Sequence, residues 1–581
     1  MAEKIIAVIG ARLNSSRLPR KHLLSLAGEP MISHIVKRLQ QVELIDDIII
    51  ATTADDYNIP LKEWALSSGV DCYAHTGDVD DLVGRIDAVV QKADADVLLY
   101  VCGDCPLIEP ETINNKLKAI KNKHSVDLVQ LSPLPPEQKY IHEGFDVYRR
   151  SFWDQMVACA ELPFEREHIG AVYHSLGKVA PQQIAYVDED EIYSSIQHRI
   201  SVDTPTDYRF MREVYSRWSS LDRGQDIVDL KWVIEQLSKD GDLRAMNGFV
   251  RQKGVEDKSP SISIYAEAGK DAGLGHLSRM MAAATILQDR LSAKVRLIIQ
   301  GDPVEFDDLD LIDHLWVQRL SSSVVLNTSE AADLCIFDLK SLSDDLAELL
   351  KAKSLLKPLV GVDFGKNYED MFDHNWVPSF YLPKDRQKNN ADAISYGWDT
   401  YLLRTFPKMK REGGVKKLLV LTGGSDPAKL SAWLPELLVG KIGDTFEIQW
   451  VQGSYAQPPS VPAVDNSVFK ILKAPVNIPQ LISASDMVLC QYGVSFFEAI
   501  KAGVNTVGFD VIGAATNEEQ TYLKTHMPET FYPSVEEAVN AVSFMSANTE
   551  MSECFINYST KMSKAPERFA HQISMLLKAS S

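Results

Sequence analysis

Short apolar runs separated by stretches of helical period constrain this chain more than any other feature. IIAVI (5–9), IIIATT (48–53) and VLLYVCGD (97–104) are too short for helices, and amphipathic stretches from Met31 to Leu39 and from Ile59 to Ser67 lie between them. Successive parallel strands need a crossover, usually a helix, so this alternation predicts a parallel sheet covered by helices. In such sheets ligands sit at the carboxyl ends of strands, where the loop from Ala11 and the pair Gly103-Asp104 would lie. The pattern restarts at ISIYAEAG (262–269), followed by GHLSRMMAAATILQ (275–288), and again at KLLVLTGGSDP (417–427). Between the first and second series stands RQKGVEDKSP (251–260), charged and nearly free of apolar residues. We therefore expect an α/β chain with one domain over 1–250, a linker over 251–260, and a two-lobed domain. Its lobes would cover 261–407 and 415–581, with a cleft between them.

Composition narrows the class of ligand. Lys and Arg number 60 against 80 Asp and Glu, a net charge of −20. Such a chain is a poor partner for nucleic acid or an anionic membrane, so any phosphate must be met by a local basic pocket. No apolar run approaches the length of a membrane span, and the apolar stretch near the start is too short for a signal-peptide core. Seven scattered cysteines suit a reducing compartment. Cys102 and Cys105 read C-x-x-C, but no second Cys/His pair has ligand spacing. The expectation is a cytoplasmic, soluble protein that binds neither nucleic acid nor membrane.

Two groups of residues carry chemistry in the first half. The loop Ala11-Arg12-Leu13-Asn14-Ser15-Ser16-Arg17-Leu18-Pro19-Arg20-Lys21 places four cations and two hydroxyls directly after a strand. A triphosphate needs that combination, although the glycines of a Walker loop are missing and a basic loop can equally be a solvated one. Asp104 ends one apolar run and Asp203, in HRISVDTPTDY (198–208), ends a strand-like run. The two could share one Mg²⁺ bridging phosphate oxygens; alternatively, Asp104 caps a turn and Asp203 the helix beginning near Pro205.

In the second half, GKDAGLGHLSR (269–279) sets Gly273, Gly275 and His276 at a strand-to-helix turn, with Arg279 one turn on. A helix start of this kind favours a diphosphate, and His276 beside it could act as a general base or simply bond the helix start. LTGGSDP (421–427) is a second glycine turn. ASDMVLCQYGVSFFEAIKAG (484–503) adds a third, with Glu498 on the next helix, spaced to meet ribose hydroxyls.

Six motifs in order, ARLNSSRLPRK, GDVDDLVGR (77–85), GDCPLIEPETI (103–113), EGFDVY (143–148), EREHI (165–169) and RISVDTPTDY (199–208), resemble the cytidylyltransferases of acidic sugars. The likeness is greatest to the branch of spore coat polysaccharide synthesis and of pseudaminic or legionaminic acid activation. It implies a Rossmann-like, GT-A-like nucleotidyltransferase fold that transfers CMP from CTP to an acidic nine-carbon 2-keto sugar, releasing pyrophosphate. It further implies that Ala11, Arg12, Ser16, Arg17, Lys21, Arg85 and Gly103 hold CTP, with Arg17 and Lys21 acting catalytically. Glu143 and Asp146 would lie by the sugar, Asp104 and Asp203 would hold Mg²⁺, and the domain would form a homodimer. Arg20 stands where much of the branch has glycine. No residue is singled out as general base.

The second half is similar to the GT-B-like fold of MurG-like glycosyltransferases. It is most similar to the UDP-sugar hydrolase of pseudaminic acid synthesis, through DAGLGHLSR, YLLRTFP (401–407), GGSDP, GVSFFEA and NEEQ (517–520). The resemblance implies that His276 activates water against a UDP-linked 2,4-diacetamido-trideoxyhexose. Gly275, Gly424, Ser425, Gly493, Ser495 and Glu498 would hold UDP. FDLK (337–340) and VDFG (362–365) replace that family's Asp-His-Tyr run and paired aspartates. The expected whole is a bifunctional enzyme of nonulosonic acid synthesis. Two alternatives for the second half are a UDP-sugar-dependent glycosyltransferase and a non-catalytic sugar-nucleotide-binding module.

Overall fold

The computed structural model describes residues 3–142, 144–221, 227–251, 259–353, 355–387, 393–404, 415–463, 468–545 and 553–580. Most of the expected linker (252–258) and part of YLLRTFP (405–407) lie outside the described residues. The chain divides into two compact units, Met1–Lys258 and Ser259–Ser581.

The first unit is built on a seven-stranded sheet. Its strands are β1 (Ile5–Gly10), β2 (Asp47–Thr53), β3 (Asp71–His75), β4 (Val97–Cys102), β5 (Leu128–Leu131), β6 (Phe145–Arg149) and β7 (Ile184–Val187), in the order β3-β2-β1-β4-β6-β5-β7. β1 to β4 are parallel, and β6 runs antiparallel to both its neighbours. The continuous apolar run of β1 is explained by burial on both faces. Ile5, Ala7 and Ile9 pack with Ile32, Ile35 and Leu117, while Ile6 and Val8 meet Val83, Ile86 and Phe152. Strand order reverses at β1 and β4, whose last residues, Gly10 and Cys102, are register partners. The loops beginning at Ala11 and Gly103 therefore leave the sheet side by side, in the crevice such a reversal creates.

One expected strand is absent: RISVD (199–203) joins no sheet. Val202 N–H donates to the Asp104 carbonyl (2.8 Å). The amides of Asp203 and Thr204 donate to the Asp207 carboxylate (3.2 and 3.1 Å), so the capping box of the helix Pro205–Ser219 uses donors that a ladder would need. Thr204 caps that helix, which leaves the Asp203 carboxylate for other partners.

The second unit holds two all-parallel sheets. The first contains β8 (Ser261–Glu267), β9 (Lys294–Gln300), β10 (Asp313–Val317), β11 (Leu334–Asp338), β12 (Leu359–Val362), β13 (His374–Trp376) and β14 (Ile394–Ser395), in the order β10-β9-β8-β11-β12-β13-β14. The second contains β15 (Lys416–Leu421), β16 (Phe446–Gln452), β17 (Phe469–Lys473), β18 (Met487–Gln491), β19 (Asn505–Phe509) and β20 (Phe531–Tyr532), in the order β17-β16-β15-β18-β19-β20. The expected lobe 415–581 needs one correction. The last helix, Ala565–Ser580, packs on the first sheet, where Phe569, Ala570 and Ile573 join the core of the helix Gly275–Leu291. Phe569 meets Trp376 edge-on at 4.9 Å. Among the described residues no helix is long and apolar enough to cross a membrane.

Candidate active sites

In the first unit the basic loop is pinned at its base. Leu13 N–H donates to Asn58 Oδ1 (2.7 Å) and Arg20 N–H to the Leu13 carbonyl (2.8 Å). Arg20 adopts φ 56°, a left-handed conformation that glycine takes without a Cβ clash, so a glycine is a natural alternative there. Beyond it a short helical turn, Lys21–Leu23, carries Lys21 inward. Lys21 Nζ lies 2.9 Å from Asp104 Oδ2 and 2.9 Å from Asp203 Oδ1. Asp203 also meets Arg17 at 3.3 Å and Arg199 at 2.5 Å. Burial opposes charge on both sides of this cluster, but the opposite charges prevail. Lys21 is raised above the usual lysine range by Asp104 and Asp203. Asp203 is held far below the usual carboxylate range by Lys21, Arg17 and Arg199.

His22 Nδ1–H donates to the Gly103 carbonyl (2.8 Å), and burial together with Lys21 lowers its pKa to about 4, so it is neutral. Gly103 is required sterically, since a Cβ there would stand 2.6 Å from the Gly10 carbonyl.

Arg12 donates to Asp80 Oδ1 (2.6 Å) and to the Val79 carbonyl (2.7 Å). Arg85, 3% exposed, leaves Nε and Nη1 without partners, and burial and Arg12 lower its pKa to about 10. Buried donors without acceptors are costly, and an oxyanion would satisfy them. Ala11 N–H is bonded to the Ala51 carbonyl (3.1 Å), so that amide is already engaged in the sheet. Ser16 is exposed in the loop. Asp146 lies on β6 opposite Tyr100. Glu143 lies outside the described residues.

Sequence reasoning gave Arg199 and Asp207 no role. Arg199 forks onto Asp207 (3.1 Å to each oxygen) and reaches Asp203, so the spacing Arg199, Asp203, Asp207 at intervals of four was the available signal. Among the described residues no group of three or more His, Cys, Asp or Glu side chains could hold a metal, which leaves Asp104 and Asp203 as a pair.

In the second unit a cleft of about 530 Å³ gathers Gly275, Gly424, Ser425, Gly493, Ser495 and Glu498 from glycine turns and from the helices Gly275–Leu291 and Val494–Lys501. Gly453, also in its lining, was not foreseen. A Cβ there would lie 2.5 Å from the Gly424 carbonyl, so Gly453 backs the glycine turn after β15. Glu498 is 2% exposed and its Oε1 has no partner. Burial raises its pKa, and Arg404 partly offsets this. A buried carboxylate oxygen lacking a donor suits a ligand that brings hydroxyls.

His276 follows Gly275 and stands beside the residues that line the cleft. Its Nδ1 is 2.7 Å from Asp338 Oδ1, and Arg279 forks onto Asp338 from Nε (2.7 Å) and Nη2 (2.8 Å). Arg279 Nη1 also reaches Asp363 at 2.8 Å. Asp338 and Asp363 are the acidic residues of FDLK and VDFG, so the fold links both segments to His276, Asp338 directly and Asp363 through Arg279.

A basic loop stands at the strand-order reversal of this α/β sheet, with two aspartates converging on Lys21. Residues 6–227 match the family model described as cytidylyltransferase, and the N-terminal region is a cytidylyltransferase domain. An uncharacterized protein of Methanocaldococcus jannaschii is 25% identical over 254 residues, covering 44% of this chain and 98% of that protein. The 3-deoxy-manno-octulosonate cytidylyltransferase of Geobacter metallireducens is 31% identical over 140 residues, covering 24% of this chain and 52% of that enzyme. The chain thus spans about half the length of that relative. Among solved structures, the glycosyltransferase SnogD from Streptomyces nogalater is 15% identical, with a TM-score of 0.38, covering 55% of this chain and 100% of that one.

Proposed function

We propose that the first unit transfers CMP from CTP to an acidic nine-carbon 2-keto sugar with release of pyrophosphate. The observation that carries this reading is the convergence of Asp104 and Asp203 on the Lys21 ammonium, in the unit that also holds the unpartnered donors of Arg85. The relative whose name specifies 3-deoxy-manno-octulosonate supports an acidic 2-keto sugar as the acceptor class. Arg85, Arg12, Arg17 and Lys21 neutralise and orient the triphosphate so that the sugar's anomeric hydroxyl attacks the α-phosphorus in line. Asp104 and Asp203 present hard oxygens to one point already occupied by a positive charge, a donor set that fits Mg²⁺. The ion would add charge neutralisation at the phosphates. The test is pyrophosphate release from CTP by the full chain with and without acidic sugars, in wild type and Asp203→Asn.

For the second unit we propose hydrolysis of a UDP-sugar, a diacetamido-trideoxyhexose, to free sugar and UDP. The reading rests on one histidine held by a carboxylate at the edge of a cleft whose glycine turns and Glu498 suit a nucleoside diphosphate. UDP release without an acceptor sugar, abolished in His276→Asn, supports it. Release only with an acceptor favours a glycosyltransferase, and UDP-sugar binding without release favours a binding module.

A further inference from the structure

We infer that Asp338 is the positioning residue of the second unit: it holds His276 as the Nδ1–H tautomer and leaves Nε2 as the proton acceptor. The inference rests on the hydrolase reading and gives a role to the acidic residue of the FDLK segment.

Three observations support it. The carboxylate of Asp338 is fully buried at the end of β11, and its Oδ1 lies 2.7 Å from His276 Nδ1. An ionised carboxylate only accepts, so the nitrogen facing it must carry the hydrogen. Arg279 forks onto both oxygens of Asp338, which fixes its orientation and, against burial, keeps it ionised. Arg279 is anchored in turn by Asp363, a non-glycine residue at φ 63°. A left-handed backbone at a strand end is sparsely populated for such residues and persists where neighbours over-determine it.

The charged groups facing the imidazole are therefore Asp338 and Arg279 at Nδ1, the latter 3.5 Å away, and Glu267 at 4.0 Å from Nε2. Apart from that distant carboxylate, no described residue bonds Nε2. In the reaction a water oxygen bonds the anomeric carbon while the bond to the β-phosphate oxygen breaks, its electron pair leaving with UDP. The water proton passes to Nε2, Asp338 balances the imidazolium charge, and the proton then returns to solvent.

The test uses the full chain labelled with ¹⁵N at histidine. Long-range ¹⁵N–¹H correlation at neutral pH should show His276 protonated on Nδ1 and bare on Nε2; the opposite tautomer overturns the inference, whatever the enzyme hydrolyses. In acceptor-free UDP release, Asp338→Asn should lower kcat by about 100-fold or more with KM nearly unchanged. An Asp338→Asn enzyme with the wild-type kcat contradicts the inference while leaving hydrolysis intact. A wild type that releases no UDP refutes the hydrolase reading, and the tautomer still decides the role of Asp338.

Discussion

Asp203 accepts from Lys21, Arg17 and Arg199 at once, and the charge balance of the first site depends on it. Asp203→Asn should lower pyrophosphate release by about 100-fold or more, measured with CTP and an acidic sugar, and leave the far-ultraviolet dichroism unchanged. His22 adds a pH signature. Its pKa falls from 6.5 to about 4 on folding, so the unfolded chain takes up the proton first. Stability from this group is complete above pH 6.5 and is lost as pH falls toward 4, a difference of about 3 kcal/mol. Urea unfolding at pH 7.5 and 4.5 should show a smaller pH dependence in His22→Gln than in wild type; an equal dependence contradicts the assignment. The cations of this site were legible because they cluster in one loop. Arg199 was not, because its partners sit four and eight residues on, inside a segment that reads as a strand followed by a helix cap. Arg85 came only from resemblance, since nothing local in its helix separates a buried arginine from a solvated one.

At the scale of elements, β1, β2, β4, β8 and β15 begin within a residue of the apolar runs named for them, whereas most other strands had no run assigned. Buried parallel strands leave continuous apolar signatures, which explains that success. RISVD carries the same β-branched alternation yet pairs with no strand: Val202 N–H is taken by the Asp104 carbonyl and Asp203 N–H by the Asp207 carboxylate. The last helix failed differently: its stripe of Phe569, Ala570 and Ile573 shows that one face is buried but not against which sheet. The glycine turns of the cleft were legible as turns, whereas Gly453 was not, since its role is to make room for a neighbouring backbone. Gly453→Ala should displace the turn at Gly423-Gly424 and weaken UDP binding by about tenfold, about 1.4 kcal/mol. Calorimetric titration of UDP into the full-length variant checks this, and wild-type affinity would contradict it.

Across the whole molecule, the three series of strand–helix alternation became the three large sheets, two of them in one unit. Periodicity announces each sheet but not which sheets share a cleft, since that depends on packing between distant segments. Each set of candidate residues lies within one unit, so each chemistry should fail alone. In the full chain, His276→Asn should abolish UDP release while leaving CMP transfer near wild type, and Asp203→Asn should do the reverse; loss of both from one substitution would refute separate sites. The most direct measurement is pyrophosphate release by the full-length protein given CTP, Mg²⁺ and a panel of acidic 2-keto sugars, eight- and nine-carbon. The account predicts CTP-dependent release that requires an acidic sugar, is greatest with a nine-carbon one, and collapses in Asp203→Asn. Release with no member of the panel, or an Asp203→Asn enzyme as fast as wild type, would contradict it.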